Sequence, residues 1–276
     1  SNEIFYEKDK EQIYTKGKSK ASNTANILIF ADEYFKYNKL TTLLEAKKNV
    51  LIYDKEKDIT IKTNDFFYLQ KEEKFFTKNE TEVTIGKLYT IDTKDLIFLR
   101  NQDLLSSKRK TLLKDFKLNN VYKLIDFEYS VDEEILKGKK IEITTKNKKK
   151  DSDEYFFETG FFNLKENKFL AKDVNVKLHK NLFGNNENDP RINAVSGYGD
   201  ELNTYFEKGV FTSCKKTDKC PPWKIKSNKI RHDKIKKQII YKDAWLEIYD
   251  FPVVYFPKFF HPDPSVKRQS GFLTPA

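Results

Sequence analysis

Apolar and polar side chains alternate residue by residue along most of this chain, in short segments at roughly even spacing. Val50-Leu51-Ile52-Tyr53, Asp58-Ile59-Thr60-Ile61-Lys62, Thr81-Glu82-Val83-Thr84-Ile85 and Tyr89-Thr90-Ile91-Asp92 are early examples. Lys140 to Thr144, Asp173 to Leu178 and Lys224 to Lys226 continue the pattern. A period of two with charged residues between apolar ones predicts half-buried antiparallel strands, and hence an all-β protein. Two stretches break it. Asp103 to Asn120 places Leu104, Leu105, Leu112 and Leu113 badly for alternation and reads either as a short helix or as an irregular strand pair. Gly184 to Gly199, rich in Asn, Asp and Gly, reads as a long loop. Residues 1–24 lack a sustained period and read as an extended or mobile leader; Lys146 to Lys150 reads as a turn tip. Neither interruption resembles a domain linker, so residues 25–260 are expected to form one elongated domain.

The segments also repeat. Ile59-Thr60-Ile61-Lys62-Thr63-Asn64-Asp65 returns thirty residues later as Tyr89-Thr90-Ile91-Asp92-Thr93-Lys94-Asp95, with shorter echoes at Phe30-Ala31-Asp32 and Leu170-Ala171-Lys172-Asp173-Val174. Self-similar strand pairs stack into a continuous sheet, each burying its apolar face on its neighbours. Alternation then assigns faces. Ile59 and Ile61 point inward together, joined by Phe67 and Leu69 if no bulge intervenes. Ile91, Ile97 and Leu99 share a face, as do Val174, Val176 and Leu178. Ala244, Leu246 and Ile248 alternate against Asp243, Trp245 and Glu247. Such a stripe is either the filled core of a sandwich or the lining of a groove between sheets; periodicity does not distinguish the two.

Composition sharpens this picture in three places. Phe and Tyr number 23 and 15, which favours strands, and the absence of Met is expected of a mature or excised segment. The 52 Lys and Arg against 42 Asp and Glu give +10, suited either to a solubilising surface or to an anionic partner such as nucleic acid, anionic lipid or a phosphorylated glycolipid. The seven basic residues between Lys224 and Lys237 are interleaved with Ile225, Ile230 and Ile235 rather than aromatics, which reads as a solvated strand face more readily than as a nucleic-acid stripe. Chemistry is sparse. The histidines are His179, His232 and His261, and His232 and Asp233 are strand neighbours that point to opposite faces. No phosphate loop, nucleophile elbow or zinc signature occurs, so neither catalysis, metal nor cofactor is expected. No run of eighteen apolar residues spans a membrane as a helix.

One ordered set of motifs fills the last quarter of the chain. Gly209-Val210-Phe211-Thr212-Ser213-Cys214 is followed by Cys220-Pro221-Pro222-Trp223-Lys224-Ile225, Ile230-Arg231-His232-Asp233, Phe251-Pro252-Val253-Val254-Tyr255-Phe256-Pro257 and Lys267 to Pro275. In this order it resembles the periplasmic part of the LptD (OstA) family of lipopolysaccharide-assembly proteins of Gram-negative outer membranes. The internal repeat resembles that family's OstA-type unit, whose glycine before Asn-Val is missing at Lys48-Asn49-Val50, so Asn49 is expected to take the left-handed turn.

The resemblance implies an elongated two-sheet β-jellyroll that holds the acyl chains of lipid A in a groove and passes them toward a barrel. Ile59, Ile61, Phe67, Leu69, Ile91, Ile97, Leu99, Val174, Val176, Leu178, Leu246 and Ile248 are its expected lining. It implies a location on the periplasmic side of the outer membrane and, as partners, lipopolysaccharide, an LptA-like bridge protein added at a free strand edge, and an LptE-like lipoprotein reached through the barrel. Cys214 and Cys220 either bridge locally or pair with barrel cysteines. Residues 261–276, with Pro262 and Pro264, become a connector to the barrel. A stand-alone bridge protein of the same repeat and a polyanion-binding β-protein are the alternatives.

Overall fold

The computed structural model describes residues 3–23, 26–145, 153–178, 189–215, 222–262 and 266. They form twenty-two antiparallel strands and short 3-10 turns, with no α-helix among the described residues. The chain divides into two compact units, residues 1–134 and 135–276, where one domain was expected.

The first unit contains β1 (Ile4–Glu7), β2 (Gln12–Thr15), β3 (Ser19–Ser22), β4 (Ile27–Ala31), β5 (Tyr34–Asn38), β6 (Leu43–Asp54) and β7 (Ile59–Leu69). It continues with β8 (Lys74–Phe76), β9 (Glu80–Ile85), β10 (Tyr89–Lys94), β11 (Ile97–Leu99), β12 (Leu104–Ser107), β13 (Thr111–Asp115) and β14 (Asn120–Ser130). The expected leader thus forms three strands, and the stretch from Asp103 to Asn120 holds no helix but two strands, β12 and β13, which pair with other strands and not with each other. The long strands β6, β7 and β14 each bend partway, and the two halves pair with different neighbours. Ile59 to Thr63 of β7 pairs with β9, while Phe67 to Leu69 pairs with β8. Asn120 to Leu124 of β14 pairs with β13, while Phe127 to Ser130 pairs with β12. A meander has been creased into two layers, β3-β4-β6-β7-β9-β10-β13-β14 and β1-β2-β5-β6-β7-β8-β11-β12-β14. Because β7 and β14 belong to both layers, the ladders from β7 through β9, β10, β13, β14, β12, β11 and β8 close on themselves as an eight-strand circuit.

The crease explains the repeat. Asp32, Asp65 and Asp95, the last residues of the repeated phrases, all fall on it. There Asp32 accepts a hydrogen bond from Asn49 Nδ2 (2.9 Å), Asp65 from the Lys78 amide (2.9 Å) and Asp95 from Arg109 Nε (2.6 Å). Asn49 is left-handed as expected, and Lys48 beside it is too (φ 47° and 68°). At the layer rim a second series of left-handed residues recurs: Glu11, Thr42, Glu73, Asp103 and Glu134, thirty or thirty-one residues apart. Each of the first four carbonyls accepts the amide of a residue one repeat later, Lys39, Gln70, Arg100 and Val131 respectively. Successive repeats are therefore stitched by backbone as well as by ladders.

The second unit is a plain meander, β15 (Ile135–Thr145), β16 (Glu154–Asn163), β17 (Lys168–Lys177), β18 (Arg191–Gly199), β19 (Asn203–Thr212), β20 (Trp223–Asp233), β21 (Gln238–Ile248) and β22 (Phe251–Pro262), each paired to the next. Residues 191–199 of the expected loop are strand β18. A crease crosses this unit as well. Lys140, Asp173, Lys208 and Asp243 are left-handed, and the paired registers skip them together with the residues facing them. Small residues line its inner side, as in the rows Gly138–Gly160–Ala171–Gly197 and Ala194–Gly209–Ser227–Ala244. A Cβ on Gly160 would lie 2.5 Å from the Phe162 ring, and one on Gly209 2.6 Å from Ile230 Cδ1, so the fold line admits no larger side chain there.

A lysine held left-handed is strained relative to glycine. Replacing the exposed Lys140 (φ 48°) with Gly is expected to raise stability by about 0.5–1 kcal/mol, whereas Lys139→Gly, at its non-left-handed neighbour, should lower it by a similar amount. Paired thermal melts of the two variants check this.

Candidate functional site

The interior of the first unit is built from one rung per strand in each layer. In one layer the rung reads Ile29–Ile52–Ile61–Val83–Ile91–Leu113, and in the other Leu44–Tyr68–Phe75–Phe98–Leu105–Tyr129. An aliphatic wall thus faces a largely aromatic one; Tyr89 and Tyr129 meet across the gap with ring centroids 5.9 Å apart. At the crease the lining turns polar. The hydroxyls of Thr77, Thr81 and Thr63 link at 2.7 and 3.2 Å, and those of Thr93 and Thr111 at 2.8 Å, all buried. The donors and acceptors of this inner edge are satisfied by one another and by nearby backbone groups such as the Leu96 amide and the Glu80 carbonyl.

Opposite the crease, ion pairs tie the layers. Arg100, in the turn after β11, reaches Asp54 at the end of β6 with Nε–Oδ2 at 2.6 Å, and Glu56 with Nη2–Oε2 at 2.5 Å. Asp54 is 2% and Arg100 8% exposed. The hydrogen bond to Asp54 holds the guanidinium above its usual pKa against the opposing effect of burial. Lys57 to Asp103 (2.7 Å) repeats the clasp beside it, and its hydrogen bond raises the Lys57 pKa. Farther along, Tyr89 donates to Glu134 at 2.7 Å, and burial pushes the Tyr89 phenol well up.

At the N-terminal end of the same unit the layers part. A cavity of about 220 Å³ opens between Ser22, Ile27 and Ile29 on one layer and Tyr37, Leu44 and Tyr68 on the other. Tyr37 donates to Gln70 at its rim (3.1 Å), and burial raises the Tyr68 phenol, leaving it neutral at physiological pH. The neighbouring edge strands β1 and β3 each pair on one side among the described residues. Ile4 and Tyr6 of β1 are exposed.

The expected lining residues fall into three groups. Ile59, Ile61 and Ile91 are buried in the interior of the first unit, and Val174, Val176 and Leu178 in that of the second, all closed over by neighbours. Phe67, Leu69, Ile97 and Leu99 lie on the opposite face. The buried residues around them are Phe66, Tyr68, Leu96 and Phe98, and Phe67 stacks outward on Phe76 at 4.9 Å. The cause is the crease. Two residues of β6, Lys48 and Asn49, oppose one residue of β7, and inward parity changes from odd to even along β7 as it rounds the bend. Beside β21 a second bulge leaves Val253 of β22 unpaired between the Leu246–Val254 and Glu247–Pro252 pairs; Leu246 is half-buried and Ile248 exposed, while Glu247, on the face of Trp245, is buried. The cavity residues Ile27, Ile29, Tyr37 and Leu44 were missed, because nothing in an alternating strand tells which rung the facing layer fails to cover.

Four of the seven basic residues from Lys224 to Lys237 face carboxylates: Lys224 and Lys226 face Glu247, Lys229 faces Glu207 and Arg231 faces Asp233. Cys214 carries a thiol whose Sγ donates to the Trp223 carbonyl at 3.6 Å. Cys220, and with it any bridge to Cys214, lies outside the described residues, as do His179, the tip Lys146–Lys150 and most of the connector after Pro262. Among the described residues no helix is long and apolar enough to cross a membrane, which leaves strands unaddressed.

No protein-family model matches the chain. No curated protein matches it either. The functional assignment therefore rests on the residues themselves.

Proposed function

We propose that this chain is a non-catalytic lipid carrier of the LptD-like kind, taking the acyl chains of lipopolysaccharide between the two layers of the first unit. The observation that carries the reading is the N-terminal cavity. It is a hollow between the two layers of an apolar interior, and its walls of Ile, Leu and Tyr suit alkyl chains. Roughly 0.8 kcal/mol per buried methylene makes even part of an acyl chain a substantial ligand there. The ordered C-terminal motifs support the same reading, which describes each creased unit as a V-shaped jellyroll of OstA-type repeats. In it the protein works on the periplasmic side of the outer membrane. The edge strands β1 and β3 receive an LptA-like bridge protein by strand addition, and the C-terminal segment leads toward a barrel and its LptE-like partner.

Photocrosslinking tests this. A benzophenone side chain at Ile29, Leu44 or Tyr68 is expected to capture purified lipopolysaccharide, and one at the outward-facing Lys62 is not. No adduct at any of the three positions, in variants shown to be folded, would remove the carrier reading.

A further inference from the structure

The outward face of the second unit carries a larger hollow than the one just described. A cleft of about 590 Å³ lies over the crease between β19 and β22, within the size range of small-molecule sites. One wall is aromatic: Trp245 and Tyr255 stand 5.1 Å apart with rings tilted by 47°, and both are exposed, at 42% and 45%. Around them converge four charged side chains, Lys208, Lys226, Asp243 and Glu247. Two are ammonium groups and two carboxylates, so the rim is balanced. Tyr255 donates to Asp243 at 3.1 Å, and this hydrogen bond raises the Tyr255 pKa. Glu247, two residues on from Trp245 and on the same face, lines the cleft and is buried there, facing Lys224 (3.3 Å) and Lys226 (3.8 Å). An exposed Trp on the outward face of a sheet, beside a buried carboxylate held by two lysines, is an arrangement that core packing does not require.

We infer that this cleft binds a neutral oligosaccharide. A pyranose presents a face of C–H groups, which packs on an aromatic ring, and a perimeter of hydroxyls that each both donate and accept. Trp245 and Tyr255 supply the ring faces. Carboxylates that accept and ammonium groups that donate supply the perimeter. The balanced charge disfavours a polyanion, whose recognition requires a cationic excess. The tilt between the two rings leaves no parallel slot for a planar base.

The chain has only two tryptophans, so Trp223→Phe leaves Trp245 as the sole tryptophan, whose emission is excited selectively over that of the tyrosines. Full-length protein with this substitution is titrated with maltotriose, cellotriose, chitotriose and a galactose-containing trisaccharide, with uridine monophosphate and glucose 6-phosphate as contrasts. Binding is read independently by saturation-transfer NMR. At least one neutral trisaccharide should shift the Trp245 emission saturably, with a Kd of about a millimolar or below. Tyr255→Ala should weaken it at least about tenfold, and Trp245→Ala should abolish the NMR signal. Phe156→Ala, which alters a different outward aromatic beneath Lys177, should leave it unchanged. Silence from all four sugars, response to the phosphorylated contrasts alone, or binding that survives Trp245→Ala in folded protein would overturn the proposal. These sugars carry no acyl chain and the readout lies in the second unit, so this outcome and that of the lipid crosslinking are separate.

Discussion

Phe66→Ala is expected to cost about 3–5 kcal/mol of stability, and Phe67→Ala, one residue further, only about 1 kcal/mol. Phe66 is fully buried, against Phe75 at 5.3 Å between ring centroids, and its removal leaves a cavity in the aromatic wall. Phe67 is half-exposed, stacked on Phe76 with Lys78 above the ring at 4.7 Å, and water takes its place at little cost. Uninterrupted alternation from Ile59 and Ile61 gives the reverse order. Urea unfolding followed by far-UV circular dichroism ranks the two directly. A larger loss at Phe67 would mean that β7 does not change parity at the crease.

Arg100→Met should be comparably damaging, at about 3–5 kcal/mol, because it strands the buried Asp54 carboxylate. Asp54 also accepts the amides of Glu56 and Lys57 through its other oxygen, both at 3.2 Å. Asp54→Asn keeps that turn while removing the charge. The double variant Arg100→Met/Asp54→Asn should therefore recover a large part of the loss, about 1–3 kcal/mol. A double-mutant cycle measures this. Additive losses would mean that the two side chains stabilise the fold separately. Since the pair joins the rims of the two layers, the single variant should also make buried amides of β6 and β11 exchange faster.

How far the sequence could be read depends on what each feature leaves in it. The strands were legible because alternation is local, and the repeat because its aspartates recur at the crease. Asn49 was legible because Asn is one of few residues at ease with positive φ. The parity change was not. Its second left-handed residue is Lys48, and elsewhere Glu73, Lys140 and Lys208 fill such positions, none of them a turn signature. Strand β18 was hidden by its own requirements: Gly197, which lets it fold at the crease, adds to the Asn, Asp and Gly content that makes the stretch read as loop. The clasp was out of reach because Asp54 and Arg100 lie forty-six positions apart. The outward cleft was half visible, since Trp245 was assigned to the polar side of β21 without an account of why a tryptophan should be there.

The carbonyl-to-amide stitch from Glu11 to Lys39, Thr42 to Gln70, Glu73 to Arg100 and Asp103 to Val131 makes the first unit divisible into like modules. Each contributes two strands to both layers, or about 9–10 Å of interior at ordinary strand spacing. Insertion or deletion of a whole module would therefore change the reach of the interior without altering its cross-section. A change of any other length would break the stitch. Chain length in this unit should vary between kindred proteins in steps of thirty or thirty-one residues, so that the bore is inherited and the length is free to adapt.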